Sequence, residues 1–209
     1  MFRGVFSPQM EINAESAIVI EQHPLQPFLP PNATVLFLGS FPPPRKRWSM
    51  EFFYPNIQND MWRIWGLIFF NNPNYFVIQS AKKFDYQKIV AFCNTYGLAF
   101  FDTASAIKRL QENASDKFLE VVKPTDIQAL LSQIPCCQAI VTTGEKATNI
   151  LVSTYNCDKP KMGTCEKIQV GTQWYDFYRM PSSSRAYPLP LTKKAETYRL
   201  LIPYFHSEH

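Results

Sequence analysis

The 209-residue chain carries 21 Lys and Arg against 17 Asp and Glu, so its formal net charge at pH 7 is only +4. A field this weak does not attract a polyanion by itself, and any binding of nucleic acid would depend on cations gathered at one place. Hydrophobic residues make up 46% of the chain and charged residues 18%. This composition argues against disorder and favours a single domain over residues 1–209.

Location and metal binding are constrained by what the sequence lacks. The chain has no apolar run long enough to cross a bilayer and no apolar segment typical of a secretory signal, so we expect a cytoplasmic protein. Its five cysteines form no C-x-x-C pair, and its three histidines are scattered. We therefore predict reduced thiols, no metal site and no catalytic triad centred on a histidine.

Four segments are predicted strands, and the first three are continuously apolar, as expected for a sheet covered on both faces. In chain order they are residues 35–38, 98–101, 139–141 and 174–180, and residues 167–170 can enter the last of them through a hairpin. Helical patterns lie at residues 60–69, 85–96, 125–134, 145–152 and 192–201. Strands that alternate with helices predict an α/β protein: a three-layer α/β/α domain with a central four-stranded parallel sheet.

Three of these helices have predicted ends. Gly97 is expected to stop the second helix, and Thr125-Asp126-Ile127-Gln128 matches a capping box that opens the third. Pro203 should end the last helix.

Each predicted strand is followed by small, hydroxyl-bearing or proline residues. These segments are residues 39–44, 102–105, 142–146 and 181–184. Because the carboxyl ends of parallel strands meet at one edge, we expect the four segments to form one ligand-binding rim that suits phosphate. Neither GxxxxGK[ST] nor GxGxxG is present, so the usual sites for nucleoside triphosphates and dinucleotides are not predicted.

The segment after the first strand, GSFPPPRKRW, combines a stiff turn with charge. Gly39 and three prolines end the strand, and three cations with Trp48 follow. A second aromatic cluster lies at residues 52–54. Cations interleaved with aromatic rings suit a sugar–phosphate backbone with a stacked base, although a solvated loop beside a core patch is the alternative.

Five ordered motifs carry a family resemblance. They are GSFPPP, FFYPNIQNDMWRI (52–64), GLAFFDTASAIKR (97–109), AIVTTGEKA (139–147) and MPSSSRA (180–186). From about His23 to Phe205 the chain resembles the uracil-DNA glycosylase superfamily, nearest its hypoxanthine (deoxyinosine) DNA glycosylase branch and the mismatch-specific uracil/thymine glycosylases. Residues 1–22 lie outside the resemblance, which implies that they are an N-terminal extension. The resemblance implies a parallel sheet between helices and a pocket at the strand ends that receives a base flipped out of DNA.

The same resemblance implies a monofunctional DNA N-glycosylase of base excision repair. It would be a monomer without cofactor or metal, and its partner would be DNA carrying a deaminated or mismatched base such as hypoxanthine or uracil. The implied catalytic residues are Asn59 and Asp102. Asp102 could orient Ser105 or pair with Arg109, and Asn59 could equally be a helix cap.

The resemblance also implies two sets of contact residues. Those of the base pocket are Gly39, Ser40, Phe41, Pro42, Phe53 and Tyr54, with Tyr54 stacking on the base. Those on the DNA backbone are Arg45, Lys46, Arg47, Lys146, Pro181, Ser182, Ser183, Ser184, Arg185 and Tyr187. Arg185 or Tyr187 would be the wedge that fills the hole left by the extruded base.

Two positions depart from the family pattern. Phe41 stands where many relatives carry the Asp or Asn that positions the attacking water, and Met180 stands where many carry a His that stabilises the leaving base. Two alternatives therefore stay open. One is a DNA-binding protein of this fold that has lost its chemistry; the other is a small-molecule nucleotide hydrolase, which would not need Arg185 or the cations of residues 45–47.

Overall fold

The computed structural model of the protein describes residues 19–110 and 119–207. Its elements in chain order are β1 (Ile20–Gln22), β2 (Val35–Gly39), α1 (Met61–Phe70), β3 (Val77–Ile78), β4 (Lys83–Phe84), α2 (Tyr86–Tyr96), β5 (Leu98–Asp102), β6 (Ala104–Arg109), β7 (Leu119–Pro124), α3 (Ile127–Leu131), β8 (Ala139–Thr143), α4 (Glu145–Tyr155), β9 (Cys165–Val170), β10 (Gln173–Met180) and α5 (Leu191–Tyr198). Short 3₁₀ helices lie at Arg45–Arg47, Gln79–Ala81 and Arg199–Tyr204.

The central sheet has the strand order β5-β2-β8-β10-β9. The four strands predicted from the sequence are β2, β5, β8 and β10, and each pairs in parallel with its neighbours in this group. The prediction of a four-stranded sheet left out one strand, because β9 adds a fifth strand that runs antiparallel to β10. Gly171, whose φ is 60°, lies in the turn between β9 and β10 and adopts a left-handed conformation that glycine allows without strain.

Helices cover both faces of this sheet. Phe37 of β2 contacts Trp65 of α1, with ring centroids 5.9 Å apart. On β8, Val141 is in register with Phe37, so the next residue, Thr142, points to the opposite face. There its hydroxyl lies 2.8 Å from that of Thr148 on α4. The arrangement is therefore a helix–sheet–helix sandwich.

A second sheet was not predicted. It is antiparallel, with the order β1-β6-β7. The segment 102–105, expected to be a loop, is mostly strand: β5 ends at Asp102 and β6 begins at Ala104. The single residue between them, Thr103, donates its N–H and its hydroxyl to the Gly39 carbonyl, at 2.8 and 3.1 Å. These bonds fix the sharp change of direction.

The predicted N-terminal extension takes part in this second sheet. Its residues 20–22 form β1, and Glu21 accepts an ion-pair hydrogen bond from Arg109 of β6 at 2.9 Å. Residues 1–18 of the extension lie outside the described part of the chain.

The helix ends follow local chemistry. Gly97 ends α2 with a φ of 71°, as predicted. The predicted capping box is wrong in detail, because the cap of α3 is Asp126, whose carboxylate accepts from the Ala129 N–H at 3.0 Å. After α5 the chain continues as a 3₁₀ helix that includes Pro203, so the predicted stop is also wrong. Within residues 19–110 and 119–207, none of the helices has the length and apolar character needed to cross a membrane.

Candidate active site

A cavity of about 680 Å³ lies at the carboxyl ends of the four parallel strands. All four segments that the sequence assigned to one rim contribute to its wall: residues 39–43 after β2, Asp102 at the end of β5, Thr143 at the end of β8 and residues 182–188 after β10. The fifth part of the wall is the segment between β2 and α1, residues 53–59. The predicted rim is therefore a real concavity and not a flat edge.

The six residues assigned to a base pocket, Gly39, Ser40, Phe41, Pro42, Phe53 and Tyr54, all line this cavity. Tyr54 has a φ of 52°, a strained value for a residue other than glycine. Its hydroxyl lies 2.8 Å from that of Thr143, which belongs to the predicted rim segment 142–146 but was not assigned to the base pocket. The bond ties the aromatic segment to the end of β8 and holds the Tyr54 ring in the cavity wall.

Asp102 pairs with a histidine that sequence reasoning set aside. His23 Nε2 lies 2.9 Å from Asp102 Oδ2, and only 4% of the His23 side chain and 9% of the Asp102 side chain are exposed. Asp102 Oδ1 makes no hydrogen bond to any described residue and lies beside Gly39, where a Cβ would come within 2.4 Å of it. One carboxylate oxygen is thus fixed and the other is open to the cavity.

Asp102 neither orients Ser105 nor pairs with Arg109, so both of these predictions are wrong. Arg109 pairs instead with Glu21 and donates to the Pro42 carbonyl at 3.0 Å, which anchors the loop that follows β2. The Ser105 hydroxyl donates to the Lys123 carbonyl at 3.2 Å.

An aromatic shell holds the His23 imidazole in place. The rings of Phe41 and Phe101 lie 5.1 and 4.4 Å from it. Leu25 brings both its N–H and its carbonyl oxygen near Nδ1, at 3.2 and 3.0 Å. A neutral imidazole can accept from the former, and an imidazolium can donate to the latter. No local sequence pattern marks His23, because its partner is 79 residues away.

Asn59 lines the cavity and also serves as a helix cap, the alternative that the sequence left open. Its Oδ1 accepts from the Met61 N–H at 2.9 Å, at the start of α1. Its backbone forms an antiparallel bridge with Ser184. Within the described part of the chain, the Asn59 Nδ2 amide donates to no other residue, which leaves it available to a ligand.

A buried ion cluster attaches the loop of residues 182–188 to α1. Lys194 is fully buried, and its ammonium donates to Asp60 at 3.0 Å and to the Ser184 carbonyl at 2.8 Å. Arg185 donates to the other Asp60 oxygen at 3.0 Å. The Asp60 N–H in turn donates to the Ser183 carbonyl at 2.8 Å. A buried lysine needs such partners, so the loop is fixed relative to Asn59. Sequence reasoning missed Lys194, since a lysine on a surface helix is usually solvated.

Of the remaining residues that were predicted to contact DNA, some line the cavity and others do not. Ser182, Ser183, Ser184, Arg185 and Tyr187 line the cavity, whereas the buried Pro181 accepts from the Tyr198 hydroxyl at 2.8 Å and Met180 is fully buried. In the loop that follows β2, Arg47 lines the cavity, whereas Arg45 pairs with Glu51 and lies over the Trp48 ring. Lys146 donates to the Leu119 carbonyl at 2.8 Å and is outside the cavity lining.

The described residues contain no group of three or more His, Cys, Asp or Glu side chains that could hold a metal ion. His23 and Asp102 form a pair only. The polar groups that line the cavity are the Asp102 carboxylate, side-chain amides including that of Asn59, the guanidinium groups of Arg47 and Arg185, and hydroxyl groups.

No protein-family model matches the chain, and no curated protein matches it in sequence. Among solved structures, the chain is similar to a solution NMR structure from Methanosarcina acetivorans that is provisionally described as a uracil DNA glycosylase. The sequences are 20% identical, and the match covers 89% of this chain and 99% of the other with a TM-score of 0.60. At this identity the likeness concerns architecture, and the two chains share a fold.

Proposed function

We propose that the protein is a DNA glycosylase that receives an extruded base in the cavity and hydrolyses its N-glycosidic bond. The observation that carries this proposal is the half-fixed Asp102 carboxylate, held by His23, in a cavity at the carboxyl ends of the parallel strands. The fold shared with the Methanosarcina structure and the five ordered sequence motifs support it.

The dimensions and walls of the cavity suit a flipped nucleotide. Its volume of about 680 Å³ lies within the range typical of small-molecule sites. Phe41, Phe53 and Tyr54 offer aromatic surface for a base, and the Ser182–Ser184 hydroxyls and backbone lie where a sugar and phosphate would enter. The prolines after Gly39 keep this wall from having to reorganise when the base arrives.

In the proposed reaction the bond between sugar C1′ and the base nitrogen breaks, and the base departs with the electron pair. A water oxygen bonds to C1′ as the transition state acquires oxocarbenium character. Asp102 Oδ1 orients that water and takes its proton, and solvent returns a proton to the base. His23 holds Oδ2, so that Oδ1 keeps one direction.

Asn59 is the second proposed catalytic group. Its Oδ1 is engaged by the Met61 N–H, which fixes the plane of the amide and directs Nδ2 to a ligand. An amide donor of this kind can stabilise negative charge that develops on the leaving base. Phe41 then serves as a wall of the pocket and of the His23 shell, and Met180 as core.

We propose a monofunctional enzyme acting as a monomer. Glycosylases that also cleave the strand need an amine nucleophile, and no lysine belongs to the described lining of the cavity. Lys194 is committed to Asp60 and Ser184. The proposed substrate is DNA with a deaminated base, hypoxanthine or uracil.

A panel of oligonucleotides tests the proposal. Each carries uracil, hypoxanthine, xanthine or a mismatched thymine, in single- and double-stranded form, and is incubated with excess protein before alkaline cleavage. We expect at least one of these bases to be released, with the strand intact until alkali is added. Release must be lost in Asp102→Asn. Binding without release of any base would contradict the glycosylase proposal and favour a protein that has lost its chemistry.

A further inference from the structure

A second cavity, of about 380 Å³, lies beside the first. Its charged lining consists of Lys46, Arg47, Lys82 and Lys83, which we name the basic groove. We propose, building on the glycosylase function above, that the basic groove binds backbone phosphate of the DNA strand on one side of the extruded nucleotide. Lys82 and Lys83 belong to none of the motifs identified in the sequence.

Charge distinguishes this groove from the rest of the surface. It brings together four cations, and no carboxylate belongs to its described lining. The formal net charge of the whole chain is also +4, so the remainder of the molecule is balanced overall. A cluster of this kind creates the local positive potential that a weakly charged protein needs in order to hold a polyanion. Arg45 contributes less, since Glu51 neutralises it.

The groove is continuous with the candidate active site. Arg47, Asn56 and Gln58 line both cavities. Asn56 Oδ1 accepts from the Gln58 N–H at 2.9 Å, which stabilises the turn between the two cavities. A strand whose nucleotide occupies the first cavity would pass over this turn, and its neighbouring phosphates would reach the basic groove.

The hairpin that carries Lys82 and Lys83 is anchored to the rest of the domain. Lys82 has a φ of 49° and ends the 3₁₀ helix inside the small β3–β4 hairpin, next to Lys83 of β4. The following residue, Phe84, is buried, and the Arg63 guanidinium lies over its ring. The Phe84 N–H also contacts the Ser49 hydroxyl, 3.4 Å away, which links the hairpin to the other wall of the groove. Such anchoring lowers the entropy lost when a ligand binds.

The first test compares the salt dependence of binding to a duplex that carries the preferred lesion. The variants are Lys82→Gln and Lys83→Gln, and the matched control is Lys167→Gln. Lys167 pairs with Asp176, which is in register with Ala139 at the amino end of β8, whereas the cavity lies at the carboxyl ends of the strands. Each groove variant should lower the slope of log affinity against log salt by about 0.9 and weaken binding by up to about 8-fold at 0.1 M salt. The control should keep the parental slope.

The second test locates the phosphate. Single-stranded oligonucleotides carry the lesion with flanks shortened one nucleotide at a time from either end. For the parent protein, loss of the flank that enters the groove should weaken binding. For Lys82→Gln, loss of that same flank should cost much less, because the contact is already missing. Shortening the other flank should affect parent and variant equally.

The outcomes separate this inference from the proposed function. If the parent cleaves its lesion but both groove variants keep its salt slope and flank dependence, the basic groove is an ordinary solvated surface and the inference is wrong. If the parent neither binds DNA nor releases a base, both proposals fail together. Circular dichroism of each variant shows whether it has kept the fold.

Discussion

Asp102 and His23 meet at the wall of the cavity with Oδ2 and Nε2 2.9 Å apart, although 79 residues separate them in the sequence. The pair joins the two sheets of the molecule, since Asp102 ends β5 of the central sheet and His23 follows β1 of the smaller one. The position of the carboxylate thus depends on the correct docking of the N-terminal strand.

Replacing His23 tests whether it positions Asp102. His23→Ala should lower single-turnover cleavage on the order of 10²-fold, because a small misplacement of a reacting group has effects of that size. His23→Gln, whose amide can still donate to Oδ2, should restore part of the rate. Binding of lesion DNA should change little in either variant. If both variants lose cleavage only in proportion to a loss of folded protein in urea titrations, His23 is a packing residue.

Two substitutions separate the role of Asn59 as a helix cap from its proposed role as a hydrogen-bond donor in catalysis. Asn59→Ala removes both the helix cap and the free amide, so it should cost about 1 kcal/mol of stability and roughly 10²-fold or more in single-turnover rate. Asn59→Asp keeps the acceptor for the Met61 N–H but loses the Nδ2 donor. It should recover the stability but not the rate, since a carboxylate cannot donate a hydrogen bond to the leaving base. An Ala variant that cleaves within a few-fold of the parent would leave Asn59 as a cap only.

Gly39 is expected to tolerate no side chain. A Cβ at this position would stand 2.4 Å from Asp102 Oδ1 and 3.5 Å from the Tyr54 hydroxyl. The carboxylate cannot rotate away freely, because His23 holds its other oxygen. Gly39→Ala should therefore displace Oδ1 and lower single-turnover cleavage on the order of 10²-fold. Parental cleavage by a well-folded Gly39→Ala protein would show that the position of Oδ1 is irrelevant to the reaction.

The loop after β10 can be tested for a wedge. Arg185→Ala and Tyr187→Ala should reduce cleavage of duplex lesions much more than of single-stranded ones, because a single strand has no vacated stack to fill. The Arg185 side chain is half exposed, and Lys194 still pairs with Asp60 when Arg185 is removed, so the fold should survive. Rates on matched single- and double-stranded substrates give the comparison. Equal losses on both would indicate a structural role for these side chains.

Alkylation of cysteines tests the core independently of function. Burial raises the pKa of the Cys93 thiol well above its usual range and that of Cys137 to about 12, so at pH 8 both are almost entirely unreactive thiols. Cys136 is exposed. Iodoacetamide should modify Cys136 first, and Cys93 and Cys137 only after unfolding, as read by peptide mass spectrometry. Rapid modification of Cys93 in the native protein would contradict the packing around α2.

The parallel strands of the fold could be predicted because their signal is local. Residues 35–38 and 139–141 are continuous apolar runs, and Gly97 is a local helix stop. The convergence of strand ends then follows from topology alone. Sequence reasoning failed where one residue, Thr103, makes a turn that usually takes several. Because β6 begins directly after it, the segment has the composition of a loop but is part of a second sheet.

The position of the site could also be predicted from local sequence, but the hydrogen bonds between its side chains could not. Tyr54 and Asn59 follow from ordered motifs, whereas the contacts of His23 with Asp102 and of Lys194 with Asp60 join residues 79 and 134 positions apart. A single histidine or lysine carries no periodicity that could indicate such a partner. Only the folded chain brings these charges together.

The wall of the cavity is assembled from widely separated parts of the chain, from residues 39–43 to residues 182–188. A ribosome makes the latter segment only after the rest of the central sheet. A nascent chain can therefore pair β2 with β5 and β8 and still lack one side of the cavity. Incomplete products of translation would lack part of the cavity in which the proposed reaction takes place, so the order of synthesis delays that reaction until residues 182–188 have been made.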